Sequence, residues 1–396
     1  MHDIQQVLRL LSRLDCTLDR CRTCRRIAQK CTIDHAKMQH YIREVFHRNV
    51  YLRNVFTSVI DEKLKMVSQV ESRNTLLCLR DIRLVAADMD GTLLGPGSIL
   101  PQCTFESVNR METTTGIPLV LATGRCRSAA FGRLSGFGES FTYRAGIFLN
   151  GAYVCDSDGT VVHEECFDLD IVNKVVSLFP DRVNSIAVMP ISGDLIFAPQ
   201  ENDVSMYMYR KYADPCPTIF NGYLDMLSYL KKSQISIHMI SISTSEGIED
   251  EVYQSLRACL PNFTIVRPIP RLVTILPRNS SKGSGLAALS KYFGISQNGV
   301  AAVGDADNDL EMLNWAGVSV AMGNAKECCK AIADLVVNSN DHPTLPGVAQ
   351  FLNMITNSRR YMHLANVYCM HIWRNLGKST NAKMCVALFN TQLKFA

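Results

Sequence analysis

From residue 82 onward, short apolar segments alternate with amphipathic ones, and this alternation constrains the fold more than any other feature of the chain. The first apolar segment, Ile82 to Ala87, has the length of a buried strand, and others follow at Pro118 to Ala122 and near Val300. Strands that alternate with helices favour a parallel sheet covered by helices. We therefore predict an α/β fold with a parallel sheet at its centre.

The alternation is interrupted between about residues 166 and 270. In this stretch the sequence predicts a hairpin around Ser192 and Gly193, a helix through MYMYRKY and a strand in ISIHMISIS. We interpret it as an α+β domain inserted into the parallel one, which then comprises residues 79–165 and 271–355. A chain of 396 residues is long enough for two or more domains.

Both ends of the chain extend beyond these domains. Residues 1–78 lack glycine and proline and carry apolar residues at helical intervals, which predicts a basic helical extension. A possible zinc site there comprises Cys21, Cys24, Cys31 and His35. Its spacing is shorter than in common zinc fingers, so free cysteines on amphipathic helices are the preferred interpretation. Residues 356–396 are helix-prone and basic, and they contain no recognisable motif.

Composition excludes several classes of protein. The net charge of +4 does not favour a nucleic-acid partner, and no apolar run reaches the roughly 18 residues that span a bilayer. The first residues lack the apolar core of a secretory signal. The 15 cysteines have no regular spacing, which indicates reduced thiols and a cytoplasmic location. An organellar leader within the N-terminal extension remains an open alternative.

Polar residues stand where the predicted strands end or the following helices begin: Asp88 and Asp90, Thr123, Asn150, Lys282, Asp305, Asn308 and Asp309. Ligands of open α/β sheets bind beyond the carboxyl ends of the strands, so we expect these groups to lie together. Asn150 either joins them or only caps a turn. Buried carboxylates need a partner, and carboxylates are ligands that Mg²⁺ prefers. Thr123, the Gly124 N–H and Lys282 suit the oxygens of a phosphoryl group.

The chemistry of these residues favours an aspartate nucleophile. The chain has no Walker-type glycine loop and no GxSxG elbow, and none of its 9 histidines lies at these strand ends. Asp88 can form a phosphoaspartyl intermediate, and Asp90 can protonate the leaving oxygen and then deprotonate water. A calcium loop at Asp305, Asp307 and Asp309 is disfavoured because the glycine and closing glutamate of an EF-hand are missing.

Four motifs, in the order DMDGTLL, LATGR, the lysine of SSKGSGL and GDADNDLEM, resemble those of the haloacid dehalogenase superfamily. The resemblance covers about residues 82–352 and is closest to the Cof-type phosphatases, whose cap domain lies between the second and third motifs. FLNGA and VAMGNA are also similar to that branch. It implies a Rossmann-like core, an inserted cap, Mg²⁺ and a phosphoaspartate mechanism.

The resemblance also implies a role for each matching position. Asp88 would be the nucleophile and a metal ligand, and Asp90 would be the acid/base that binds metal through its carbonyl. Asp305 would bind Mg²⁺ directly, while Asp309 would bind it through water or orient Lys282. Arg125 would face the substrate. The phosphate would be held by the Met89 backbone, Thr123, Gly124, Lys282 and Asn308.

These observations predict a Mg²⁺-dependent phosphohydrolase that acts on a small phosphorylated metabolite. Sugar phosphates are the leading expectation for the substrate, which the cap would select. A phosphomutase is an alternative, since Asp90 fits both reactions. A second alternative is a regulatory or binding protein that uses the basic N-terminal helices, whose partners the sequence does not identify.

Overall fold

A computed structural model of the chain describes residues 79, 81–138, 141 and 143–359. All of them belong to the second of two compact units, residues 74–396. The predicted helical extension with its alternative zinc site, and nearly all of the predicted C-terminal extension, lie outside the described residues.

The strands follow one another along the chain from residue 84 to residue 336. They are β1 Leu84–Ala87, β2 Leu119–Ala122, β3 Gly146–Phe148, β4 Tyr153–Cys155, β5 Val161–Glu164, β6 Ile186–Ser192, β7 Leu195–Ala198, β8 Thr218–Ile219, β9 Met239–Thr244, β10 Thr264–Val266, β11 Leu272–Leu276, β12 Val300–Gly304, β13 Val318–Ala321 and β14 Leu335–Val336.

The helices separate and follow these strands. They are α1 Gln102–Thr115, α2 Arg127–Leu134, α3 Leu169–Ser177, α4 Tyr207–Tyr212, α5 Tyr223–Ser233, α6 Glu249–Cys259, α7 Lys282–Tyr292, α8 Leu310–Trp315, α9 Glu327–Ile332 and α10, residues 347–359. None of the helices in this described part has both the length and the apolar character needed to cross a bilayer.

The first sheet has the order β14-β13-β12-β1-β2-β3-β4-β5. It is parallel from β14 to β3, whereas β4 and β5 add an antiparallel edge. All four residues of β1 are fully buried, as expected for a central parallel strand with both faces covered. The predicted parallel α/β core is therefore confirmed. Because β1 lies between β2 and β12, the carboxyl ends of these three strands meet at one edge.

The second sheet lies between β5 and α7 in the chain and has the order β10-β11-β9-β6-β7-β8. Its pairs are antiparallel except for β7 with β8, and β6 and β7 form the predicted hairpin around Gly193. Helices α3, α5 and α6 contribute Val172, Met226 and Leu256 to its apolar core. This segment is the inserted α+β domain, called the cap below.

Strand β11 belongs to the sheet of the cap, although the predicted boundary at residue 270 placed it in the parallel domain. Residues Leu272–Leu276 were expected in the parallel domain, but β11 pairs with β9 and with β10 in the cap. The segment LVTIL is buried throughout. A short apolar run of this kind suits a central strand of either sheet, so local sequence cannot assign it.

Helix α7 begins as the sequence predicts. Ser281 accepts a hydrogen bond from the Ser284 N–H at 3.1 Å, and Ser284 Oγ accepts one from the Ser281 N–H at 3.0 Å. This reciprocal pair satisfies two N–H groups that a helix start otherwise leaves without partners. It fixes Lys282 as the first residue of the helix.

Candidate active site

Asp88 directly follows β1 at the edge of the sheet, and the turn after Asp88 contacts the loop that follows β12. Gly91 has φ +89°, and a Cβ at this position would lie 2.5 Å from Asp305 Oδ2. Only glycine accommodates both the left-handed conformation and this close approach. Thr92 Oγ1 then donates to Asp305 Oδ1 at 2.9 Å. The chain therefore holds Asp88 and Asp305, which are far apart in sequence, at one place.

Lys282 occupies the centre of this edge and is only 1% exposed. Its Nζ lies 2.5 Å from Asp88 Oδ1 and 2.7 Å from Asp309 Oδ1. The second oxygen of Asp309 accepts the N–H groups of Asp305 and Ala306 at 2.9 and 3.0 Å. The resemblance implied that Asp309 either binds Mg²⁺ through water or orients Lys282. Since both oxygens of Asp309 already accept hydrogen bonds, this geometry favours the orienting role.

The charges at this edge are unbalanced. One oxygen from each of Asp88, Asp305 and Asp309 lies within 4.8 Å of the others, and Lys282 is the cation between them. Burial raises the pKa of Asp88 well above its usual range, although the Lys282 charge opposes the shift. Burial likewise raises the pKa of Asp305, while the Thr92 hydrogen bond opposes it. Three clustered carboxylates with one lysine form an oxygen-rich donor set that fits a hard divalent cation.

Lys282 remains protonated in this environment. Burial alone would lower its pKa, but the charges of Asp309 and Asp88 outweigh that effect and raise the pKa above its usual value. A fixed ammonium group next to Asp88 can therefore stabilise negative charge on a group bound there.

Asp90 is more exposed than Asp88 and is held by a different cation. Arg125 donates through Nε and Nη2 to the two oxygens of Asp90, at 2.7 and 2.8 Å. Partial desolvation would raise the pKa of Asp90, but the hydrogen bonds and charge of Arg125 outweigh it and hold the pKa below the usual value. The resemblance implied that Arg125 faces the substrate, and the structure pairs its guanidinium with the expected acid/base.

The loop after β2 supplies small polar groups on the other side of β1. Thr123 is buried, and its Oγ1 accepts the Arg125 N–H at 3.2 Å. Asn150 Oδ1 accepts from Asn308 Nδ2 at 2.9 Å, and a Cβ on Gly124 would lie 3.1 Å from Asn150 Nδ2. Asn150 therefore does more than cap a turn, because its amide joins the loop after β2 to the loop after β12.

The remaining expected position is Met89, whose side chain is buried in the core. Its carbonyl accepts the Leu94 N–H at 2.8 Å within the turn, whereas its N–H donates to no acceptor in the described part of the chain. This leaves a backbone donor beside Asp88. All the residues that the sequence proposed for the site thus lie along one edge of the parallel sheet.

Three residues near the site were not predicted from the sequence. Thr92 orients Asp305, and Asn324 Nδ2 donates to the Gly91 carbonyl at 2.8 Å. Thr92 lies in the motif DMDGTLL and Asn324 lies in VAMGNA, so membership of these motifs could have identified both residues. Asp214, from the cap, has electrostatic interactions with Asp90 and Arg125. No local pattern marks this residue, because its position depends on how the cap packs.

A second group of possible metal ligands lies where the two sheets are connected: Glu164, Cys166 and His238. The Gly193 N–H donates to Nδ1 of His238 at 3.0 Å, and Nε2 lies 2.9 Å from Glu164 Oε2. The hydrogen bonds therefore assign the ring proton to Nε2, which donates it to Glu164. A metal at Nε2 would need that lone pair, so this cluster is a hydrogen-bonded joint between the sheets and does not suit a metal.

The fold and the site define a capped α/β hydrolase with an acidic edge. The family model of haloacid dehalogenase-like hydrolases matches residues 85–352, and the chain belongs to this family, in its Cof-type branch.

Curated relatives share about two thirds of the chain. A phosphatase of Bacillus subtilis, YwpJ, is 29% identical over 281 residues, which cover 66% of this chain and 96% of that protein. The chloroplastic endoribonuclease YBEY of Arabidopsis thaliana is 26% identical over 265 residues, or 65% of this chain, and the match spans only 44% of that protein. The chain thus spans less than half of this second relative.

Solved structures share the fold over a similar range. A haloacid dehalogenase-like hydrolase from B. subtilis superimposes with a TM-score of 0.56 and 26% identity. The superposition covers 69% of this chain and 99% of that one.

Proposed function

We propose that this phosphatase removes phosphate from a small phosphorylated metabolite, using Asp88 as a covalent nucleophile. The observation that carries the proposal is the placement of the Asp88 carboxylate 2.5 Å from the buried ammonium group of Lys282, at the carboxyl edge of the sheet. Lys282 can bind a phosphate oxygen there and offset the charge that accumulates as the phosphoryl group is transferred.

The reaction proceeds in two displacements at phosphorus. An oxygen of Asp88 forms a bond to phosphorus while the bond to the leaving oxygen breaks, and Asp90 gives that oxygen a proton. Asp90, now ionised, then takes a proton from water, and the resulting hydroxide attacks phosphorus and releases Asp88. Arg125 favours the ionised form of Asp90, so its ion pair supports the second step and must loosen for the first.

The clustered carboxylates support Mg²⁺ as the cofactor. We expect Asp88, the Asp90 carbonyl and Asp305 to hold it, with Asp309 acting through water or by orienting Lys282. The ion would neutralise phosphate oxygens and so help the dianion approach the Asp88 carboxylate. The Met89 N–H, Thr123, Gly124 and Asn308 are proposed to hold the remaining phosphate oxygens.

A cap domain that closes over the site would limit the size of the leaving group, which supports a small substrate. A sugar phosphate is the substrate class that we test first. The cysteines of the described residues are free, which supports a reducing, cytoplasmic location.

The test is phosphate release from a panel of sugar, nucleotide and vitamin phosphates by the full-length protein with Mg²⁺. We expect turnover of at least one compound, its loss with EDTA, and its loss in Asp88→Asn, which is nearly isosteric but cannot act as the nucleophile. A folded, Mg²⁺-supplied protein that releases phosphate from none of them contradicts the proposal. Conversion of a sugar phosphate to its isomer without phosphate release would instead identify a phosphomutase.

A further inference from the structure

Helix α2 begins without a strong acceptor of its own for its first N–H groups. The residue before the helix is Cys126, whose thiol is a weak acceptor, and the first turn contains no acidic residue. The first N–H groups of a helix have no acceptor within the helix, so they need one from elsewhere. With 8 residues, Arg127–Leu134 is short, and its stability therefore depends strongly on its ends.

The acceptor comes from the cap domain. Asp194 lies in the turn of the β6–β7 hairpin, and its Oδ1 accepts the Ser128 N–H at 2.6 Å. Ser128 is the second residue of α2, a position whose N–H normally binds the side chain of the preceding N-cap residue. A carboxylate there also interacts favourably with the positive end of the helix dipole. A residue of the cap therefore completes the start of a helix in the parallel domain.

The turn that carries Asp194 is itself held against the parallel domain. Gly193, with φ +55°, donates its N–H to His238 Nδ1 at 3.0 Å, and a Cβ on it would lie 3.4 Å from the Tyr153 ring. The other ring nitrogen of His238 lies 2.9 Å from Glu164 Oε2 on β5. Gly193 and His238 are both buried, so packing and hydrogen bonds together fix the direction of Asp194.

A second hydrogen bond joins the cap to the other end of the same helix. Arg133 Nη2 donates at 2.8 Å to the carbonyl of Tyr212, the last residue of α4. The cap thus contacts α2 at its start through Asp194 and near its end through Tyr212. When a cap moves away from the domain that it covers, contacts of this kind are lost.

Helix α2 is directly joined to the loop that holds the proposed acid/base. Arg125 lies two residues before the helix begins, and its guanidinium binds both oxygens of Asp90 at 2.7 and 2.8 Å. The Arg125 N–H donates to Thr123 Oγ1 at 3.2 Å, and the Arg125 carbonyl accepts the Leu149 N–H at 3.1 Å. A first turn that is ordered by Asp194 therefore fixes the backbone from which Arg125 reaches Asp90.

We propose that Asp194 is a positioning residue that couples closure of the cap to the geometry of the Thr123–Arg125 loop. With the cap seated, Asp194 binds the start of α2 and so holds Arg125 against Asp90. This inference rests on the proposed function. Because a cap must open and close in every turnover, its two conformations must be close in free energy. Loss of an N-terminal helix acceptor changes an equilibrium constant about fivefold, which is then enough to shift a large share of the protein away from the competent conformation.

The experiment compares the full-length wild type with Asp194→Ala and Asp194→Asn by two measurements. Hydrogen exchange of the peptide that covers residues 123–134 reports on α2 and its loop, whether or not the protein turns over a substrate. The exchange of α1, Gln102–Thr115, is the internal reference. Turnover of p-nitrophenyl phosphate with Mg²⁺ gives kcat/KM. The control variant is Asp170→Ala, which removes an exposed carboxylate from the first turn of α3 in the cap.

In Asp194→Ala we expect the amides of the first turn of α2 to exchange about fivefold faster and kcat/KM to fall about fivefold, while the exchange of α1 stays as in the wild type. Asparagine is as good an acceptor at helix starts as aspartate, so Asp194→Asn should remain within about twofold of the wild type in both measurements. Asp170→Ala should change neither.

Three results would overturn the inference. The first is a folded Asp194→Ala protein whose exchange over residues 123–134 equals that of the wild type, which would mean that Asp194 does not order α2. The second is faster exchange there with an unchanged kcat/KM, which would separate α2 from the reaction. The third is an equal increase in the exchange of α1, which would indicate general destabilisation. A wild type that releases no phosphate from any ester refutes the proposed function itself, and the exchange measurement distinguishes that failure from an Asp194 that does not order α2.

Discussion

Replacing Lys282 with methionine removes the one cation that the structure places between Asp88 and Asp309. Methionine has a similar length, so the change removes charge and two hydrogen bonds, at 2.5 and 2.7 Å, more than it removes volume. Breaking a buried ion pair from one side costs about 3–5 kcal/mol, because the partner charges remain buried without compensation. At roughly 2–4 °C for each kcal/mol, the melting temperature should fall by about 6–20 °C.

The same substitution should lower turnover by at least about 10²–10³-fold, the usual effect of removing one group that stabilises transition-state charge. Thermal unfolding without added metal measures the first effect, and phosphate release with Mg²⁺ at a temperature where both proteins are folded measures the second. Lys291→Met provides the control, since Lys291 lies on the same helix but is exposed. A Lys282→Met protein that melts within about 2 °C of the wild type, or retains a tenth of its turnover, would refute this reasoning.

A further prediction concerns the cation. Mg²⁺ at about a hundredfold excess over its dissociation constant should stabilise the wild type by roughly 2.7 kcal/mol and raise its melting temperature. Asp305→Asn should lose most of this rise, which thermal unfolding with and without Mg²⁺ measures. An equal rise in both proteins would argue against Asp305 as a ligand.

The parallel core, and the residues that lie at the carboxyl edge of its sheet, could be predicted because both depend on local patterns. A buried apolar run that ends on Asp88, or a strand that ends on Thr123, shows in sequence where a carboxyl end lies. A parallel sheet then brings such ends to one edge, whatever the order of the strands. Sequence also identified Lys282 as the start of a helix, since Ser281 is a good N-cap.

The pairing of side chains could not be predicted in the same way. Asp90 and Arg125 were assigned to chemistry and to substrate, and only the folded chain shows that they bind each other. The contact of Asn150 with Asn308 joins two loops that are distant in sequence. The sequence therefore could not distinguish an Asn150 that belongs to the site from one that only caps a turn. Strand β11 and Asp214 depend on tertiary pairing and on the packing of the cap, and neither leaves a local pattern.

The central claim, a phosphoaspartate on Asp88, is tested most directly by trapping it. Asp90→Asn lacks the base for the second displacement, and p-nitrophenyl phosphate has a leaving group that needs little protonation in the first. We expect the variant, mixed with this ester and Mg²⁺ and quenched in acid, to gain the mass of one phosphoryl group on the peptide that contains Asp88. The double variant that also carries Asp88→Asn should gain none. A wild type that turns over while the quenched Asp90→Asn protein carries no phosphoryl group, or carries it on another residue, would contradict the account.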